Sequence, residues 1–315
     1  MRAIIIDQFG GRDVLKLADV PEPVPGPGEV LIAVKAAGVN PVDWKIRTGY
    51  LEGRLPHEFP IILGWDVAGV VAAVDSSVSS WNVGDEVYAY ARKPIIQAGT
   101  YAEYIAVDAA HIARKPTNFS FVEAASVPLA ALTAYQSLFD AARLTAEETV
   151  LVEAAAGGVG GFAVQLARHA GARVFGTASS VNHDYVRELG AEHVIDYRQQ
   201  DVVAEIQSEL GVGVDVAYDC IGGDVFARCA AALKPGGRIV TILEPIKTQE
   251  LADQGVSAHY VFVSPNGAQL EKLRQLAESG DLKTHVSATV PLADAAQAHE
   301  LIESAHTRGK IVLTI

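Results

Sequence analysis

One segment carries residue types at a spacing suited to holding a phosphate: Thr149-Val150-Leu151-Val152-Glu153-Ala154-Ala155-Ala156-Gly157-Gly158-Val159-Gly160-Gly161-Phe162-Ala163-Val164-Gln165-Leu166-Ala167. A buried strand runs into a glycine turn and the turn into an apolar helix, the context in which a dinucleotide fingerprint has meaning. Set against G-x-G-x-x-G, Ala155 stands at the first glycine, and Gly157 and Gly160 match the second and third. Without a Cβ at Gly157 the backbone can approach a pyrophosphate. Gly160 lets the helix pack closely on the strand, and the helix N-terminal amides face the anion. Ala156, Gly158 and Val159 complete this expected cradle. The plainer alternative is a tight strand-to-helix turn with no ligand, and the regular alternation of strand and helix downstream weighs against it. Glu153 sets a carboxylate at the same strand end, facing the anion or turned from it.

The next strand, Arg173-Val174-Phe175-Gly176-Thr177, ends in Ala178-Ser179-Ser180. An NAD site places an acid there to accept from two ribose hydroxyls. Serines leave room for a 2′-phosphate instead, and Ser179, Ser180, His183, Tyr197 and Arg198 are the groups expected to surround it, so the cofactor reading is NADPH. The serines also fit as the N-terminus of the following helix, and the two roles are compatible. No lysine stands at this position.

These residues need a frame, and 315 residues at roughly 150 per domain predict two domains. Residues 3–6, 30–34, 67–74 and 86–90 are short β-rich runs. They are punctuated by Pro21-Glu22-Pro23-Val24-Pro25-Gly26-Pro27-Gly28 and by glycine turns, which predicts a small antiparallel barrel. From residue 121 the texture changes. Helix is expected over 122–142, 159–170, 185–189 and 225–233, and strand over 149–154, 173–177, 193–196, 214–219 and 237–243, the pattern of a parallel, doubly wound sheet. A strand over 256–263 is followed by helices over 268–278 and 293–304 and a last strand over 311–314. Half of the residues are hydrophobic and the formal charge is −13, which disfavours nucleic acid and anionic membrane surfaces. Two cysteines, Cys220 and Cys229, make neither a disulfide framework nor a four-sulfur zinc site, and they suit a reducing compartment. With no signal-peptide pattern and no apolar run of about 18 residues, the expected location is the cytoplasm.

Several further motifs, Gly26-Pro27-Gly28-Glu29-Val30-Leu31, Ala37-Gly38-Val39-Asn40-Pro41-Val42-Asp43, Leu63-Gly64-Trp65-Asp66-Val67-Ala68-Gly69, Val83-Gly84-Asp85-Glu86-Val87, Lys234-Pro235-Gly236-Gly237-Arg238 and Gly309-Lys310-Ile311-Val312, extend the pattern over nearly the whole chain. Together with the glycine turn they resemble the medium-chain dehydrogenase/reductase superfamily, in its zinc-free quinone oxidoreductase (zeta-crystallin-like) branch. The resemblance implies an α/β protein. A GroES-like β-barrel catalytic domain (1–120 and 265–315) would accompany a Rossmann NADP-binding domain (121–264), with the active site in the cleft.

Zinc alcohol dehydrogenases of this superfamily carry Cys where Asn40 stands and His-Glu where Trp65-Asp66 stands. Asn, Trp and Asp cannot replace that ligand set, so no metal is expected. Hydride transfer without a Lewis acid suits acceptors already activated by conjugation, namely quinones, enones and 2-alkenals. By resemblance, Asn40 and Thr133 lie near the nicotinamide, Asn40 with a catalytic role beside Tyr50, and Ile221, Leu243, Phe262, Val263 and Lys310 join the cofactor contacts. Tyr50 either donates a hydrogen bond or proton to the acceptor or only packs against it. Asp43, Asp66, His111, His169 and His299 are read as structural or surface residues, and Cys220 as a small apolar lining. The partners implied are a small-molecule quinone or enone and a second copy of the chain joined along the strand 256–263. Two other functions fit the same residues: an enoyl-thioester reductase, and a cofactor-binding protein with little turnover. RNA binding finds no basic and aromatic cluster to support it.

Overall fold

The structure, a computed structural model, describes residues 1–305 and 307–315. Its chain divides into two compact units. One is Met1–Leu132 with Pro265–Gly280 and Thr284–Ile315; the other is Thr133–Ser264 with Asp281–Lys283.

In the first unit the long strand Glu29–Val39 is the organiser. One edge pairs antiparallel with Asp66–Val74; the other pairs with Tyr104–Asp108 near its start and with Lys310–Thr314 near its end. Asp66–Val74 pairs in turn with Glu86–Tyr90, and alternate residues of these strands point to one side. Val30, Ile32, Val34, Val67, Val71, Val87, Ile105 and Val107 therefore meet in a single core, as period-two patterning requires. The strands of the first third pair antiparallel, as expected, and the C-terminal part adds a parallel neighbour, Val286–Pro291 beside Lys310–Thr314. Parallel neighbours need a crossover, and the helix Ala295–Glu303 supplies it.

This unit continues past residue 120 because the helix Phe121–Ala125 packs on the strands Glu29–Val39 and Asp66–Val74. A Cβ at Gly38 would lie 2.3 Å from the Ala125 carbonyl oxygen, so only glycine permits this approach. The single helix expected over 122–142 is three pieces: Phe121–Ala125, Pro128–Tyr135 and a wider π turn over Gln136–Ala141. Pro128 has no N–H to continue the first piece but is well placed to begin the second.

In the second unit six parallel strands lie in the order His193–Ile195, Arg173–Thr177, Thr149–Val152, Val214–Asp219, Leu233–Thr241, Ser257–Tyr260. In chain order this is 3-2-1-4-5-6, the doubly wound arrangement, with its switch point between Thr149–Val152 and Val214–Asp219. Leu151, Phe175, Ile195, Ala217, Ile239 and the helix residues Ile206, Phe226 and Cys229 share one core. The helices Val202–Leu210 and Pro245–Asp253 add to the pattern expected from the sequence.

Candidate active site

The glycine turn sits at the switch point. Gly157 caps the helix Gly158–His169, whose first-turn amides have no acceptor within the helix and so face outward as donors. A Cβ at Gly160 would lie 2.2 Å from the Ala154 carbonyl oxygen, so close packing requires glycine there. The left-handed residue of the turn is Ala154, at φ 52°, immediately before the Ala155 that replaces the first glycine. Its strain is held by hydrogen bonds: Ala154 N donates to Thr177 Oγ1 at 3.1 Å, and Ala155 N to the Thr177 carbonyl at 2.9 Å.

Glu153 turns away from the turn amides. At 1% exposure it is paired with Arg228, whose Nη2 lies 3.0 Å from both carboxylate oxygens, and it accepts from the Thr177 hydroxyl. It acts as a strut beneath the turn, joining the ends of two strands to the helix Asp224–Ala231. Its partner lies 75 residues away in the chain, beyond the reach of local pattern.

At the end of Arg173–Thr177 the Ser180 side chain is exposed, and Ser179 Oγ accepts from Asn182 Nδ2 at 3.3 Å. His183 Nε2 lies 3.3 Å from the Ala178 carbonyl, which fixes the proton on that nitrogen. Arg198 and Tyr197 are exposed, the guanidinium 5.6 Å above the ring centroid. The structure thus brings the expected 2′-phosphate group of residues to neighbouring strand ends. One residue missed from the sequence is Asp196, which is buried and accepts from both Ser180 N and Arg198 N.

Further along the sheet, Asp219 Oδ1 accepts from Ile221 N and Gly222 N at 2.9 and 2.8 Å, which folds the turn after Val214–Asp219 and leaves the Ile221 side chain exposed. Leu243 and Phe262 are exposed as well, whereas Val263, Ala156 and Thr133 are buried. The Thr133 carbonyl accepts from Tyr218 OH. Burial, reinforced by the neighbouring Asp219 charge, pushes the Cys220 thiol well above its ordinary range, so it stays protonated.

The first unit holds a buried polar cluster built on Asn40. This residue caps the helix Pro41–Arg47, and its backbone N–H donates to Asp43 Oδ2 at 2.8 Å. The amide oxygen accepts from Lys310 Nζ, and the amide nitrogen donates to Asp66 Oδ2 at 2.9 Å. Lys310 Nζ also donates to the Val39 carbonyl at 3.2 Å and lies 3.7 Å from Asp66 Oδ2, while Asp66 Oδ1 accepts from Leu129 N. Tyr101 OH donates to Asp43 Oδ2 at 2.9 Å. Desolvation raises Asp43 to about 7 and Asp66 to about 6, and it lowers Lys310 against the pull of the two carboxylates. Lys310, expected at the cofactor, thus has its ammonium committed to Val39, Asn40 and Asp66.

Trp65, which is 5% exposed, completes the position where zinc dehydrogenases hold their ligands. An indole, an amide and a carboxylate already facing an ammonium do not fit a zinc ion. Among the described residues no group of three or more His, Cys, Asp or Glu side chains stands together as a metal site. Tyr50 is 57% exposed, its ring 5.0 Å from the Arg54 guanidinium and 5.8 Å from Lys45 Nζ. His299 is buried against Arg47, and burial with the Arg47 and Arg12 charges lowers it to about 3, so it is neutral.

A glycine cradle at the switch point of a 3-2-1-4-5-6 sheet, joined in one chain to a sheet unit with no place for zinc, defines a nucleotide-dependent oxidoreductase class. Residues 26–117 match the alcohol dehydrogenase GroES-like domain, and residues 189–313 match the zinc-binding dehydrogenase family description. The chain is 36% identical to the NADPH-dependent alkenal/one oxidoreductase of Arabidopsis thaliana, over 99% of this chain and 79% of that protein. It is 34% identical to the quinone oxidoreductase of Mus musculus, over 100% and 98%. The solved quinone oxidoreductase of Coxiella burnetii superposes with a TM-score of 0.90 at 37% identity, over 100% of this chain and 99% of that one. The chain belongs to the medium-chain dehydrogenase/reductase superfamily, in its zinc-free quinone oxidoreductase-like branch.

Proposed function

We propose that the protein reduces quinones or α,β-unsaturated carbonyls with NADPH and without zinc. The observation that carries this reading is the trio Asn40, Trp65 and Asp66: an amide held by Lys310, a buried indole and a carboxylate 3.7 Å from Lys310 Nζ do not make a zinc site. Without a Lewis acid to polarise it, the acceptor must arrive already electron-poor, as a conjugated carbonyl or quinone does. The similar proteins named for alkenal/one and quinone reduction support the same substrate class.

The Gly157–Gly160 cradle fits the cofactor's pyrophosphate, and Ser179, Ser180, Tyr197 and Arg198 are suited to its 2′-phosphate. When bound, NADPH supplies a hydride. In the balanced reaction one hydride and one proton add across the activated double bond or the quinone. Tyr50, with its ring exposed, is the proposed donor to the acceptor oxygen, and Arg54 and Lys45 beside it favour the negative charge developing there. Asn40 is the centre of the buried cluster, its amide fixed at both ends.

The test is NADPH consumption by the purified protein with 2-hexenal, 1,2-naphthoquinone and a 2-enoyl thioester, with no added flavin. Turnover of the first two above the thioester is expected. A thioester preference would make the protein an enoyl reductase, and tight NADPH binding with no turnover would make it a binding protein; either contradicts the proposal.

A further inference from the structure

We infer that Asp196 is the positioning residue for 2′-phosphate recognition, an inference that rests on the NADPH reading above. A carboxylate beside a phosphate site ordinarily repels the phosphate, so its geometry decides its effect. Asp196 follows the strand His193–Ile195 and is 4% exposed. Its Oδ2 accepts from Ser180 N and from Gln199 Nε2, each at 3.2 Å, and its Oδ1 accepts from Arg198 N at 3.0 Å. The backbone closes the same turn, with Gln199 N and Gln200 N donating to the Asp196 carbonyl at 3.0 and 2.9 Å.

One carboxylate therefore ties two loops together: the turn that begins at Ser179 and the turn that carries Tyr197 and Arg198. The lone pairs that would face a ribose or repel a phosphate are directed to donors of the protein itself, and three N–H dipoles offset the charge. Facing outward from the same two loops are the groups suited to a phosphate, the Ser180 hydroxyl and the Arg198 guanidinium, both on exposed residues. The acid that an NAD site aims at the ribose is here found one strand over and turned inward, where it holds the phosphate donors in register.

Asp196→Asn separates this role from simple charge. The amide keeps one acceptor oxygen but its nitrogen cannot accept, so one of the two loops is released. Dissociation constants for NADPH and NADH are measured by calorimetry on the full-length parent, Asp196→Asn, Arg198→Ala and the double variant. The NADPH-over-NADH preference is expected to fall about tenfold in each single variant, the size of one lost bond to a charged group, and no further in the double variant. An unchanged preference, an increased one showing that the carboxylate only repelled phosphate, or an equal loss of both cofactors overturns the inference.

A measurement on the parent needs no variant to fold. Adenosine 2′,5′-bisphosphate, but not AMP, is expected to slow amide hydrogen exchange in residues 178–182 and 196–200 together, and protection of only one loop overturns the coupling. A parent that shows no preference for NADPH sinks the cofactor reading itself, whereas a parent preference left intact in Asp196→Asn sinks only the role of Asp196.

Discussion

Lys310 is only 4% exposed, and Asn40, Val39 and Asp66 surround its Nζ; burial lowers it and the Asp66 charge works against that. Burial raises Asp43 to about 7, and the Asp66 charge nearby pushes it the same way. Asp43 Oδ1 is buried without a hydrogen-bond partner, while Oδ2 accepts from Asn40 N and Tyr101 OH. The groups acting on it are Asp66, Lys310, Tyr101 and the Asn40 N–H. A carboxyl whose folded value lies above its ordinary 3.8 contributes stability in acid, and that contribution is lost as pH rises toward the folded value. Asp43→Asn keeps an acceptor for Asn40 and Tyr101 and cannot ionise. Relative to the parent, the variant is therefore expected to gain about 1 kcal/mol per pH unit between pH 5 and pH 7 in urea unfolding. Parallel stability profiles for the two proteins would show that Asp43 does not titrate in this window. This cluster was only half visible in the sequence: Asn40, Pro41 and Asp43 spell a helix start, but nothing local ties Asn40 to Lys310, 270 residues away.

Among the elements, the six strands and most helices of the second unit follow from hydrophobic period and glycine punctuation, because each is a local decision. The short helix Pro41–Arg47 carried its own signals, a capping asparagine, a proline in the first turn and an acid three residues past the cap, yet its brevity hid it among strands. The strand Val286–Pro291 alternates Val286, Ala288 and Val290 with Ser287 and Thr289, but it is short and little buried, and its place is fixed by pairing with Lys310–Thr314, a tertiary fact. Likewise Asp196 read as the end of a strand, since a carboxylate spent on backbone amides leaves no mark in sequence pattern. The strand Ser257–Tyr260 ends the six-stranded sheet and pairs only with Leu233–Thr241 among the described residues. An open sheet edge is a pairing template. We propose that it meets the same strand of a second copy about a two-fold axis, so sedimentation equilibrium should give a mass about twice 33.3 kDa. A mass near 33.3 kDa at micromolar concentration would contradict it.

Over the whole molecule, the formal charge of −13 means that a dinucleotide, itself an anion, has to be held by local features. In the proposed reading, the helix N-terminus at Gly157 and the Ser180 and Arg198 loops provide them. No helix among the described residues is long and apolar enough to cross a membrane. Resemblance to quinone and alkenal/one oxidoreductases runs from end to end of the chain, while the positions of the zinc ligands carry Asn40, Trp65 and Asp66, with Lys310 Nζ against Asn40 and Asp66. The central claim is that hydride reaches an acceptor activated by its own conjugation, with no metal to polarise it. The most direct measurement is NADPH-dependent turnover of 2-hexenal and 1,2-naphthoquinone before and after exhaustive chelation, with zinc quantified in the same samples. The account predicts undiminished turnover and no stoichiometric zinc. One tightly bound zinc per subunit, with activity abolished by the chelator and restored by the metal, would contradict it.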